Sequence, residues 1–108
     1  MTKPGEDFDG FYDRFHKDEK FQMSRIIFPL EGSSEDGNGK RTWTPENWYT
    51  LKVKIYDVDT NTYKVEYNKT ANTFIQKFWL PNSGFSAEYR FERRNGLWFL
   101  VYAYDTNL

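Results

Sequence analysis

Large apolar residues recur at helical spacing near the start of the chain and at strand spacing through its second half. Phe8, Phe11, Tyr12 and Phe15 fall at i, i+3, i+4 and i+7, which makes one stripe of an amphipathic helix. Asp7 stands where a helix N-cap belongs, and the acidic first turn suits the helix dipole. Asp18 opens a second short helical stretch, "DEKFQMSR", with Phe21 and Met23 turned inward. "RIIFPL" then reads as a strand with Pro29 near its end. "EGSSEDGNGK" is rich in turn formers and predicts a mobile polar loop. In "TWTPENWY", Thr44 as N-cap and Pro45 at the first helical position predict a single helical turn.

From residue 51 the period changes to two. "LKVKIYD" sets Leu51, Val53 and Ile55 against Lys52 and Lys54, and "TYKVEYN" sets Tyr63, Val65 and Tyr67 against Lys64 and Glu66. "TFIQKFWL", "FSAEYRFER" and "LWFLVYAYD" follow, separated by "PNSG" and "NG" turns. Helices first and a meander of strands afterwards predict an α+β domain, its N-terminal helices packed on the concave face of a strongly curved antiparallel sheet.

The last strand breaks the alternation, because every residue from Leu97 to Tyr104 is apolar or aromatic. Asn95-Gly96 is the strongest hairpin signal in the chain, since both residues tolerate positive φ. A two-residue turn pairs Arg94 with Leu97, Arg93 with Trp98, Phe91 with Leu100, Tyr89 with Tyr102 and Ala87 with Tyr104. Trp98, Leu100, Tyr102 and Tyr104 then join Tyr89 and Phe91 on the core side, while Leu97, Phe99, Val101 and Ala103 share the other face with Glu88, Arg90, Glu92 and Arg94. A three-residue turn with a bulge would flip the final strand and expose Trp98, Tyr102 and Tyr104. The two-residue turn is preferred because it gathers the largest side chains together.

Composition sharpens this picture. Aromatics make up 20% of the 108 residues, with ten Phe, eight Tyr and four Trp, so rings rather than aliphatic side chains must fill the core. A net charge of -1 provides no electrostatic footprint for nucleic acid or for an anionic membrane surface. With no Cys there is no thiol nucleophile and no thiolate metal site. No apolar run approaches the roughly 18 residues of a membrane span. The length fits one core, and the expected division is a polar lead-in over 1-7 and a single domain over 8-108.

The hairpin "YRFERRNGLWFLVYA" resembles the closing hairpin of the nuclear-transport-factor-2-like cone fold. "FDGFYDRFHKDEKFQMSRIIFPLEG" resembles an uncharacterised family of gut-bacterial cell-envelope lipoproteins with that fold, through Phe11, Tyr12, Phe15, Asp18, Phe21, Gln22, Arg25, Ile26 and the Phe28-Pro29-Leu30 triplet. The resemblance implies a curved sheet wrapped around the helices, often with a pocket between them. It also implies export and lipid anchoring through an upstream Cys. It brings no activity, and the fold itself hosts isomerases, dehydratases and pure binding modules.

Candidate chemistry is sparse. "DVDTNTYKVEYN" begins like a calcium loop, but Thr62 and Asn68 stand where an EF-hand needs Gly and a bidentate Glu; it reads as a polar turn. His16 is the only His. With no partner ligand in view it is a helix-edge structural residue before it is a general base. Tyr89, Tyr102 and Tyr104 are either core aromatics with hydroxyls at the sheet rim or the lining of a ligand pocket. Arg25 is set to pair with Asp18 or Glu88. Leu97, Phe99 and Val101 beside Arg90 form a strip suited to a second copy, or one simply covered by long charged stems. No nucleophile or phosphate motif is present, and nothing calls for a cofactor or metal.

The expectation is a non-catalytic cell-envelope module binding a small ligand or a partner protein. Tyr12, Phe15, His16, Tyr89, Trp98, Tyr102 and Tyr104 would line its pocket. The alternatives are a cone-fold lyase or isomerase with His16 as general base, and a structural domain assembling through its sheet face.

Overall fold

The computed structural model describes residues 5–108, so part of the predicted lead-in lies outside the described residues. The elements are helices α1 (Phe8–Lys17) and α2 (Glu19–Ser24), strands β1 (Ile26–Asp36) and β2 (Gly39–Arg41), a 3-10 turn at Ile55–Asp57, and strands β3 (Lys64–Lys69), β4 (Thr73–Trp79), β5 (Phe85–Arg94) and β6 (Leu97–Asn107). Both caps form as the sequence predicts. The Asp7 carboxylate accepts from the Gly10 N–H at 2.9 Å, and Asp18 accepts from Phe21 N–H at 3.1 Å. Asp18 also closes α1, its own N–H donating to Arg14 O.

The core is aromatic. Phe91, in the middle of the sheet, is met by four rings of α1, with Phe15 at 5.3 Å, Tyr12 at 5.8 Å, Phe11 at 6.0 Å and Phe8 at 6.5 Å. Phe8 also touches Phe74 and Trp98, at 4.7 and 4.9 Å. Edge-on pairs of this kind add about 0.5–1.5 kcal/mol each beyond their area burial. The helical stripe and the inner sides of β4, β5 and β6 therefore form one continuous layer.

The sheet has six strands in the order β2-β1-β6-β5-β4-β3. It is mixed and open, which overturns the strongly curved antiparallel sheet expected from the sequence. β1 runs parallel to β6, pairing Glu31 with Tyr102 and Asp36 with Asn107. β2 and β3 are edges that do not meet, and the sheet is neither strongly curved nor closed. Strong bending needs bulges repeated along the strands. Here β3–β4 and β4–β5 pair in unbroken register. Irregularities are confined to the span between Ile26 and Glu31, where Pro29 has no N–H for the ladder, and to the Arg90/Phe91 level.

Two further expectations are corrected. "EGSSEDGNGK" is not a mobile loop, because β1 continues to Asp36 and turns through Gly37-Asn38 into β2. Pairing with β6 supplies the backbone partners that the polar side chains cannot announce. "LKVKIYD" is not a strand but an irregular segment ending in the 3-10 turn. Its alternation reflects Ile55 buried against the core while Val53 stays exposed. "TWTPENWY" does make a turn: Asn47 and Trp48 N–H both donate to Thr44 O.

Candidate functional site

Two surfaces compete for a role: the aromatic wall between α1 and the sheet, and the opposite face of the sheet. The inner wall is filled. Phe15, Phe74, Phe91 and Leu100 are fully enclosed and Tyr12, Trp98 and Tyr89 nearly so. The polar tips of its tyrosines are already engaged. The Tyr12 hydroxyl donates to Gln76 Oε1 and accepts the Ile55 N–H at 2.9 Å. Tyr89 meets the Tyr49 hydroxyl at 2.6 Å, and Tyr49 donates in turn to Asp105, whose other oxygen accepts from Ser34. Burial, then Tyr89 and the Asp105 carboxylate, push the Tyr49 hydroxyl far above its ordinary range, so the chain stays protonated. The Trp98 indole donates to Glu6 O at 3.2 Å.

His16 belongs to this wall. Its Nδ1 lies 2.7 Å from the Tyr12 carbonyl oxygen. A carbonyl can only accept, so Nδ1 carries the proton and Nε2 keeps its lone pair. Nε2 is enclosed and has no partner among the described residues. Burial lowers the imidazole pKa below 6.5 despite the Tyr12 bond, and Lys54 lowers it further. The ring is a neutral base in waiting, but it sits edge-on to Tyr12 and Phe15 at 4.5 and 5.4 Å.

The turn at Asn95-Gly96 is the two-residue one, with φ of 52° and 81° and Arg94 opposite Leu97. The pairing is as expected down to Phe91 with Leu100. Val101 is then an extra residue on β6, a bulge, and below it Arg90 faces Tyr102, Tyr89 faces Ala103 and Glu88 faces Tyr104. Tyr102 and Tyr104 therefore leave the inner wall and stand on the outer face with Arg90 and Glu88. The reason is space. Inside, at the level of Ala103, the Trp43, Trp48 and Tyr49 rings pack within 5.2 Å of one another, and the Trp43 indole donates to Ala103 O at 2.8 Å. From the other side Gly32, at φ 100°, lies so close that a Cβ there would sit 1.9 Å from Ala103 O. Position 32 therefore admits no side chain, and Ala103 itself is fully buried.

Two buried amides were missed as organising residues. Gln22 uses all four of its sites: Nε2 donates to Phe15 O at 2.7 Å and Leu51 O at 2.8 Å, while Oε1 accepts from Trp48 Nε1 and Leu51 N–H, both at 2.9 Å. It ties the irregular 43–51 segment to α1. Gln76 holds the Tyr12 hydroxyl from β4. Its signal was available, because in "TFIQKFW" it shares parity with Phe74 and Phe78. Arg25 pairs with Glu6 rather than with Asp18 or Glu88.

The outer face is uncovered. β5 presents Glu88, Arg90, Glu92 and Arg94 at alternate positions, and β6 presents Leu97, Phe99, Val101, Tyr102 and Tyr104 beside them. Arg90 binds Glu88 at 2.6 Å and lays its guanidinium over the Tyr102 ring at 4.4 Å. Arg94 lies 3.5 Å from Glu92. Leu97 and, on β4, Ile75 are 42% and 37% exposed. Grooves of about 280 and 490 Å³ run over this face, and Ile75 borders both. The first is walled by Arg90, Glu92, Val101 and Tyr102, the second by Tyr67, Lys77 and Glu88. No group of three or more His, Cys, Asp or Glu gathers as a metal site among the described residues.

A family model described simply as "-like" matches residues 6–107, nearly the whole chain. The chain belongs to that family. Its fold is that of the nuclear-transport-factor-2-like, or cystatin-like, domain found in Bacteroides proteins. The chain is similar over its full length to a nuclear-transport-factor-2-like protein from Bacteroides fragilis, at 21% identity and a TM-score of 0.66, and spans 50% of that protein's length. It is similar to a cystatin-like protein from Bacteroides caccae, at 24% identity and a TM-score of 0.69, covering 96% of this chain and 78% of that one. A protein from Bacteroides uniformis aligns with 95% of this chain and 78% of its own, at 24% identity and a TM-score of 0.70. No curated protein matches the chain. At these identities the likeness carries the fold and no activity.

Proposed function

We propose that this nuclear-transport-factor-2-like domain is a non-catalytic binding module that meets a protein partner through the outer face of its sheet. The observation that carries this reading is the division of labour between the two faces. The inner hydroxyls of Tyr12 and Tyr89 are spent on Gln76, Ile55 and Tyr49. Outside, the exposed Leu97, Ile75, Arg90 and Arg94 stand beside the half-buried Phe99, Val101, Tyr102 and Tyr104, where a partner can reach them. A lyase with His16 as base is disfavoured, because a general base must come within hydrogen-bond reach of the proton it takes and Nε2 is enclosed. Export to the cell envelope is part of the proposal, supported by the resemblance of the 8–32 segment to envelope lipoproteins, and cell fractionation tests it.

A photo-reactive residue replacing Phe99 should give discrete protein adducts, and one replacing Lys20 on α2 should give none. Native mass spectrometry of the untreated protein is the counterpart. A small molecule that survives purification and disappears in Tyr89→Phe would contradict this reading in favour of an inner pocket.

A further inference from the structure

We propose that β3, the free edge of the sheet, takes an extended segment of a different protein as an added strand, and that this segment carries acidic residues opposite Lys64 and Lys69. The edge is separate from the outer face and does not depend on the reading of that face. β3 pairs only with β4 and ends the six-stranded order. The register shows which of its backbone groups are open. In an antiparallel ladder, residues that exchange bonds with one neighbour alternate with residues whose N–H and C=O point the other way. The Thr70 N–H donates to Thr73 O at 2.9 Å, so Asn68, Glu66 and Lys64 in turn bond to β4. The far side of β4 agrees. Leu80 N–H donates to Phe85 O and Arg93 N–H to Asn72 O, so even-numbered residues there turn to β5 and odd-numbered ones to β3. Val65, Tyr67 and Lys69 therefore aim their N–H and C=O groups out of the sheet, with no partner among the described residues. Neither a Pro nor a bulge blunts this edge. Its lysines are its one guard, and a carboxylate opposite each turns that guard into a selector.

The side chains define the segment that fits. Val65, Tyr67 and Lys69 lie opposite Phe78, Gln76 and Phe74, so they share the inner side. There Tyr67, 54% exposed, meets the half-exposed Tyr56 edge-on at 5.1 Å, an apolar step beside the open backbone row. Lys64, Glu66 and Asn68 share the outer side. Glu66 and Asn68 border the groove of about 490 Å³ that Ile75, Lys77 and Glu88 complete. An antiparallel strand sets one residue opposite each residue of β3, on the same side of the sheet. It needs an acid opposite Lys69, an aromatic opposite Tyr67, a base opposite Glu66, an aliphatic opposite Val65 and an acid opposite Lys64. β3 does not meet this pattern itself. The two registers that overlap most of β3 with a second β3 put Lys69 on Val65 and Glu66 on Asn68, or Glu66 on its own twin. Neither joins opposite charges, so the charges favour a different chain. Backbone bonds to Val65, Tyr67 and Lys69 supply affinity, and the alternate side chains supply selection.

Amide hydrogen exchange by NMR on the intact protein tests this with the end-blocked peptide ETFKVE, which supplies that pattern, and with KTFEVK, in which every charge is reversed. In the free protein the Glu66 and Asn68 amides should be protected, while those of Val65, Tyr67 and Lys69 exchange freely. With ETFKVE at about ten times the Kd read from its shift titration, exchange at those three amides should slow on the order of tenfold. KTFEVK should leave them unchanged. Tyr67→Pro removes an outward N–H and no bond to β4, so it should keep the Glu66 and Asn68 protection and lose the response to ETFKVE. No response to ETFKVE, an equal response to KTFEVK, or a full response in Tyr67→Pro overturns the inference. So does protection of the three amides that grows with protein concentration alone, because it puts a second copy on the edge. None of these results touches adduct formation at position 99, which tests the outer face.

Discussion

At the scale of residues, the buried polar groups decide what this core can do. Tyr12 and Gln22 look like potential ligand contacts until their partners are counted. Tyr12→Phe should cost about 1–3 kcal/mol in urea unfolding, because it strands the Ile55 N–H and the Gln76 oxygen. Gln22→Leu removes four bonds at once and should cost at least about 3 kcal/mol. His16 makes stability depend on pH with a definite sign. Its pKa in the folded chain lies below the ordinary 6.5, so between those two values the unfolded chain binds more protons. Stability is present in full above pH 6.5, falls as pH drops through that window, and stays low beneath it. Thermal melting from about pH 7.5 to 5 should show the loss, and His16→Phe, which keeps a ring but cannot titrate, should remove it. Asp13 and Asp59 do not confuse the test, since hydrogen bonds from Lys17 and from Thr62 hold them below 3.8.

Among elements, the sequence made both helices, the caps, strands β3 to β6 and the two-residue turn legible, because each is a local pattern. It could not show that β1 lies parallel beside β6, since that pairing joins the two ends of the chain and leaves no periodic trace. The bulge at Val101 was equally hidden. It accompanies the packing of Trp43 and Gly32 against Ala103, and both lie far from Val101 in sequence. That is why Tyr89 and Trp98 fell on the expected side while Tyr102 and Tyr104 did not. Gly32 is the sharpest test of the junction. Gly32→Ala combines a left-handed backbone with a Cβ 1.9 Å from Ala103 O, and should cost more than about 2 kcal/mol and loosen hydrogen-exchange protection along β1 and β6.

On the scale of the whole molecule, one face of the sheet holds the fold together and the other is the proposed binding face. A chain this rich in aromatics could have kept a cavity between α1 and the sheet, but the rings close on Phe91 instead. The bulge moves two tyrosines to the side where Leu97, Phe99 and Arg90 already stand. The most direct test compares methyl NMR spectra before and after addition of the protein captured by the photo-reactive residue at position 99. Leu97, Val101 and Ile75 report the outer face, and Ile26, Ile55 and Leu100 report the core. The first three resonances should shift on addition of that partner while the second three stay fixed. Outer methyls that do not move when the partner is added, or core methyls that shift when a small molecule is added, would contradict a binding outer face over a filled core.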